Sequence, residues 1–246
     1  MREGLCHDIA LKPFMGGRRI AIIDDADDLN EEGANCLLKT LEEPPPQSVL
    51  ILIGTSVDKQ LPTIRSRCQI VRFQPLQADL IAELLVQQGI ATNPAEAQRV
   101  ATFADGSLER AQELIDPELW AFRGQLLNQL AKPRVPSLEL ARAATAFVDE
   151  AGKEASLRRN RARQIIGFAA DFYRQLARSQ VGLPAAGDDA LRASVERAAS
   201  GWQGREESAV DCAERCLEAL GHIDRNANQA TLIEAWADDL GRLAGR

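Results

Sequence analysis

The sequence predicts an α/β domain followed by an all-α remainder. Short apolar β-rich runs alternate with a helical pattern over residues 1–75, those runs stop at about Leu76, and a helical period then persists to the end. With 246 residues, 45% of them hydrophobic and 26% charged, the chain has enough apolar side chains for a core and reads as a globular protein of two or three domains. That composition excludes disordered, collagen-like and coiled-coil classes.

Ile20–Ile23 and Val49–Ile53 are continuous apolar segments, the pattern of strands covered on both faces, and Gln69–Phe73 is a shorter third. A helix is expected between the first two. Asn30 caps it, Glu31 and Glu32 suit its positive end, and Ala34, Leu37, Leu38 and Leu41 form one apolar stripe. Pro44, Pro45 and Pro46 stop it. Strand, helix and strand in so short a span predict a right-handed βαβ unit with a parallel sheet.

Beyond Leu76, helices are expected at 77–88, 94–104 and 107–115, with Gly106 ending one and Ser107 capping the next. Pro133 and Pro136 mark a linker, after which helices are expected near 138–151, 156–180, 188–202, 206–223 and 226–243. The resulting division is 1–75, 76–130 and 131–246.

The 29 Lys plus Arg against 36 Asp plus Glu leave a net charge of −7, which argues against broad, sequence-independent nucleic-acid binding. Arg158, Arg159, Arg161 and Arg163 make the one basic cluster, which suits DNA phosphates or an acidic partner, but without interleaved aromatic residues it reads better as a solvated helix face. Phe168, Phe172 and Leu176 recur at helical spacing and read as a packing stripe. The five cysteines form no C-x-x-C pair, so no metal site is expected, and Cys212 and Cys216 read as core thiols on one helix face. His7 and His222 have no nucleophile near them in sequence, so nucleophilic catalysis is not expected. The opening MREGLCHDIALKPF has no apolar block of signal type and no segment has the length of a spanning helix. The expectation is a reduced, cytoplasmic protein without membrane contact.

The run IAIIDDAD at 20–27 is an apolar strand ending in acids, a layout that suits both a magnesium-holding edge in a phosphoryl-transfer site and acids capping a buried strand. Its company narrows the choice. LLKTLEEPPP follows at 37–46, VLILIGTS at 49–56 puts Thr55 where the second strand leaves the sheet, and TIRSRC at 63–68 places Arg67 after a short helix begun by Pro62. Together with LKPFMGGRR at 11–19, GSLERA at 106–111 and RNANQATLIEAW at 225–236, these segments resemble the AAA+ subunits of bacterial DNA polymerase III clamp loaders.

The resemblance implies a partial AAA+ P-loop-type parallel sheet domain at 1–75 lacking its N-terminal part, a helical lid at 76–130 and a helical collar at 131–246. It implies that Asp24, Asp25 and Thr55 are a nucleotide-site remnant. It also implies that Ser66–Arg67–Cys68 carries an arginine finger acting in trans. No G-x-x-x-x-G-K-[ST] cradle occurs in the 246 residues, Asp24–Asp25 stands where active members have Asp-Glu, and Glu109 falls in the lid where they carry a nucleotide-sensing arginine. That pattern resembles the delta-prime branch, with no activity or bound cofactor of its own, and with ATP and magnesium in the neighbouring subunit. The implied partners are gamma/tau and delta subunits, and through the complex the sliding clamp and primed DNA. Two other readings stay open: an ATP-hydrolysing gamma/tau-type subunit with its P-loop in upstream sequence, and a noncatalytic helical scaffold.

Overall fold

The computed structural model describes residues 17–225 and 227–245. The chain divides into two compact units, residues 1–75 and 76–246. In the first, β1 (Arg19–Ile23) and β2 (Ser48–Leu52) pair in parallel, with Arg19 opposite Ser48 and Ile23 opposite Leu52. The connection between them is α1 (Glu31–Glu42), as a parallel pair requires. Asn30 caps α1 by accepting from the Gly33 N–H at 2.8 Å, Ala34 and Leu37 are its buried positions, and the three prolines follow its end.

Two expectations for this unit fail. Continuous apolar runs suggested strands covered on both faces, yet Ile20 is 63% exposed and Ile22, Ile51 and Ile53 are also exposed. Along β1 these alternate with half-covered Ala21 and Ile23, so among the described residues the sheet has one covered face. The apolar outer face reflects surface that these two strands do not themselves bury. Gln69–Phe73 is not a strand, because β-structure is defined by pairing and the described sheet has two members. Phe73 is 92% exposed.

A short helix α2 (Pro62–Arg65) follows β2, anchored by the buried Ile64. Pro62 sits in its first turn, where a missing N–H costs nothing.

The second unit is helical. It comprises α3 (Ala78–Gln87), α4 (Pro94–Phe103), α5 (Leu108–Glu113), α6 (Pro117–Leu130), α7 (Ser137–Asp149), α8 (Ala155–Gln180), α9 (Asp189–Ala199), α10 (Glu206–Asp224) and α11 (Gln229–Leu243). One hydrophobic core runs from Ile81 to Ala244. The 26-residue α8 is its spine and packs against α6, α7, α9, α10 and α11. Phe168, Phe172 and Leu176 are buried in it.

The helix α6 lies where the sequence reading assigns none. Its start signal is plain: Asp116 accepts from the Glu118 N–H at 2.9 Å and Pro117 occupies the first turn. Its apolar positions, Leu119, Phe122, Leu126, Leu127 and Leu130, blur any single stripe because the buried set also includes Arg123. Arg123 is 4% exposed. It makes two 2.8 Å hydrogen bonds to the Asp188 carboxylate and stands over the rings of Phe103, Trp120 and Phe168.

Turn chemistry in this unit follows the sequence. Gly106 has φ 81°, a conformation open to glycine, and Ser107 caps α5 by accepting from the Arg110 N–H at 3.2 Å. Most of the basic cluster engages acids of its own chain. Arg158 pairs with Asp149 at 3.4 Å, Arg161 with Asp116 at 3.0 Å and Arg163 with Asp224 at 2.5 Å. Cys212 and Cys216 are fully buried, and burial pushes both thiols up to about 12, where they are inert.

Candidate functional site

The site residues group around the C-terminal ends of β1 and β2. Asp24 and Asp25 leave β1 exposed to solvent, and the Asp25 N–H donates to Asp24 Oδ1 at 3.1 Å. Asp25 holds the left-handed conformation at φ 49°, which an aspartate tolerates better than most side chains. That twist turns the chain into a 3-10 turn at Ala26–Asp28, with the buried Ala26 N–H donating to the Ile53 carbonyl at 2.8 Å.

The third acid of the run carries the strongest hydrogen bonds. Asp27 Oδ2 accepts from the Thr55 N–H at 2.6 Å and from the Thr55 hydroxyl at 2.5 Å, while Oδ1 accepts from the Gln60 amide at 2.7 Å. Lys59 approaches at 3.9 Å. The two bonds from Thr55, chiefly, hold the Asp27 carboxyl down at about 2, well below its usual range. Gly54 makes the approach possible: a Cβ there would come within 2.4 Å of Asp27 Oδ1. Thr55, expected beside Asp24 and Asp25, is therefore bonded to Asp27. Asp27, Gly54 and Gln60 escaped the sequence reading because their contacts join positions about thirty residues apart; the D-D-A-D run was the visible clue.

The Ser66–Arg67–Cys68 segment is the second element of the site. The Arg67 N–H donates to the Ile64 carbonyl at 3.0 Å, and the Ser66 hydroxyl to the Thr63 carbonyl at 3.1 Å, so the segment continues α2 as a tight turn. Cys68 is half-buried, and burial raises its thiol above the ordinary value. The Arg67 side chain retains 33% exposure. Its Nη1 donates to the Thr63 carbonyl at 2.9 Å and the Ser66 hydroxyl at 3.1 Å, and its Nη2 donates to Glu42 Oε1 at 2.6 Å. Glu42 is the last residue of α1, inside the LLKTLEEPPP run. Neighbouring Arg65 reaches Asp58 at 3.5 Å, a longer contact to a carboxylate that is almost wholly in solvent. Arg67 also lines an apolar groove of about 440 Å³ with Leu50, Ile51, Ile53, Val71 and Phe73.

Residues 2–77 match the family model described as DNA polymerase III, delta subunit. Over part of its length the chain is similar to subunits of DNA polymerase III. It is 33% identical over 119 residues to the DNA polymerase III subunit delta' of Pseudomonas aeruginosa, an alignment covering 48% of this chain and 36% of that one. With the delta' subunit of Bacillus subtilis it shares 40% over 111 residues, covering 45% of this chain and 33% of its relative. The tau subunit of Escherichia coli K12 is 32% identical over 140 residues, covering 55% of this chain and 22% of that one. The matched stretch thus spans about a third or less of these relatives' length.

The family match takes in every candidate site residue: Asp24, Asp25, Thr55, Ser66, Arg67 and Cys68. Most of LKPFMGGRR, along with His7, lies outside the described residues. No group of three or more His, Cys, Asp or Glu among the described residues has metal-holding geometry, and no described helix is long and apolar enough to cross a membrane.

Proposed function

We propose that this chain acts as a delta-prime-type subunit of the DNA polymerase III clamp loader, presenting Arg67 to the ATP site of an adjacent gamma/tau subunit while the sliding clamp is placed on primed DNA. The observation that supports it best is an Arg67 guanidinium on the surface of the Ser-Arg-Cys segment with N–H groups that no described residue takes. Transfer of a γ-phosphoryl group spreads charge over its oxygens, and a planar, permanently charged fork delivered from next door stabilises that charge.

The chain's own remnant is poorly equipped for the same chemistry. The Thr55 hydroxyl and N–H both serve Asp27, so they are committed within the chain, and Asp25 is one methylene shorter than the water-orienting glutamate of active members. In this reading the chain is no enzyme alone and holds no cofactor, ATP and magnesium belonging to its neighbour. The incomplete AAA+ portion is residues 1–75, the lid 76–130 and the collar 131–246, with gamma/tau and delta as partners in a cytoplasmic complex. A second reading, an ATP-hydrolysing gamma/tau-type subunit, draws on the similarity to tau subunits over 140 residues.

The test is DNA-stimulated ATPase of a loader assembled with Arg67→Ala. A fall in kcat of at least about tenfold is expected for loss of a finger, with ATP binding retained; undiminished turnover rejects the role.

A further inference from the structure

The guanidinium of Arg67 is held from two directions, and one of them is distant in sequence. Thr63 and Ser66 are local and take both protons of Nη1, whereas Glu42, 25 residues earlier, takes a proton of Nη2 at 2.6 Å. Among the described residues no group takes the Nε proton or the second Nη2 proton, so both can serve an acceptor from a neighbour. The side chain is otherwise free to wander, since a long arginine on a surface turn has many rotamers to lose when it docks.

Glu42 has no evident local reason to be where it is. It ends α1, where the helix dipole disfavours a carboxylate, and its side chain is half exposed. The Arg67 charge offsets that unfavourable placement. Arg65 supplies the contrast: its contact is 3.5 Å long, and its partner Asp58 is 92% exposed, so that contact holds it more loosely.

We infer that Glu42 is a positioning residue for Arg67, fixing the direction in which the guanidinium leaves the surface before any neighbour arrives. This deepens the finger reading above and rests on it. Because the ordering is already present, docking the fork against a phosphate oxygen loses less side-chain freedom, which is the advantage of a preorganised electrostatic group. Glu42 touches neither substrate nor the reacting atoms, so its effect runs through Arg67 alone.

The experiment uses the full chain assembled with its loader partners, in four forms besides the parent: Glu42→Ala, Glu42→Gln, Arg67→Ala and the double variant Glu42→Ala/Arg67→Ala. DNA-stimulated ATPase is resolved into kcat and KM for ATP. Glu42→Ala is expected to lower kcat roughly two- to fivefold, the equivalent of one partly exposed ion pair, with KM unchanged. The double variant should be no slower than Arg67→Ala. In the isolated chain, the guanidinium ¹⁵N signals of Arg67 should be resolved at low temperature and merge in Glu42→Ala, as rotation about the Cζ–N bonds is released. Glu42→Gln preserves shape and an acceptor without the charge, so an intermediate kcat separates positioning from a folding defect.

If Arg67→Ala slows turnover while Glu42→Ala matches the parent, or the two effects multiply in the double variant, Glu42 has no part in aiming the finger and the inference falls alone. Faster turnover in Glu42→Ala would make the carboxylate a restraint and overturn it equally. Undiminished turnover in Arg67→Ala removes the finger reading and this inference together.

Discussion

Asp27 shows how one carboxylate organises the end of a sheet. Its folded-state carboxyl sits near 2 against an ordinary value of 3.8, so it contributes stability above the ordinary value and loses that contribution as pH falls through about 2. The difference in acid unfolding between the parent chain and Asp27→Asn, followed by circular dichroism, should therefore change between about pH 4 and 2 and stay level above. A difference that keeps changing above pH 5 would place its cause elsewhere. Gly54→Ala should act at the same point, because its Cβ would meet Asp27 Oδ1 at 2.4 Å and push the carboxylate off Thr55; NMR should then find the Asp27 carboxyl back near its ordinary value. Arg123 and Asp188 make the corresponding pair in the helical unit. Burial alone would raise the Asp188 carboxyl, but hydrogen bonds and charge from Arg123 outweigh it and hold it below its usual value. Asp188→Ala leaves an unpaired guanidinium in an aromatic enclosure and removes the cap of α9, which should cost about 3 kcal/mol or more in urea unfolding. Unchanged stability would mean the pair is dispensable. None of these partnerships was legible beforehand. Asp24, Asp25, Thr55 and Arg67 stood out as motif residues, but which acid Thr55 would bind, and that Glu42 would meet Arg67, depends on contacts across 28 and 25 positions that no local pattern encodes.

Elements were more legible than contacts, because capping and period are local. Asn30, Ser107 and the prolines after α1 mark ends that the fold uses. Losing one such cap should cost about 1 kcal/mol, and Asn93→Ala, which removes the acceptor for the Glu96 N–H at 2.8 Å in α4, measures it by thermal or urea unfolding. A stability loss under about 0.2 kcal/mol would deny the cap that role. What periodicity could not supply was partnership. Gln69–Phe73 has the composition of a strand and pairs with none in the described sheet, while α6 is a helix whose buried set, Arg123 included, spreads around its circumference. The exposed Ile20, Ile22, Ile51 and Ile53 have the same origin: an apolar run records that burial is needed, not what supplies it.

At the scale of the whole molecule, the chain joins a small unit, two parallel strands among its described residues, to a larger helical unit with one continuous core. The motifs lie mostly within residues 2–77, the stretch that the family model matches. The helical remainder was readable as helices because caps and the apolar period are local signals. The central claim concerns one guanidinium presented to another subunit. Arginine offers a planar fork where lysine offers a point charge, so substituting one for the other keeps the charge and removes the geometry. The most direct measurement is single-turnover ATP hydrolysis by a loader assembled with Arg67→Lys. The account expects a loss of about tenfold or more in the chemical step, with ATP affinity unchanged, and parental hydrolysis by the Arg67→Lys complex would contradict it.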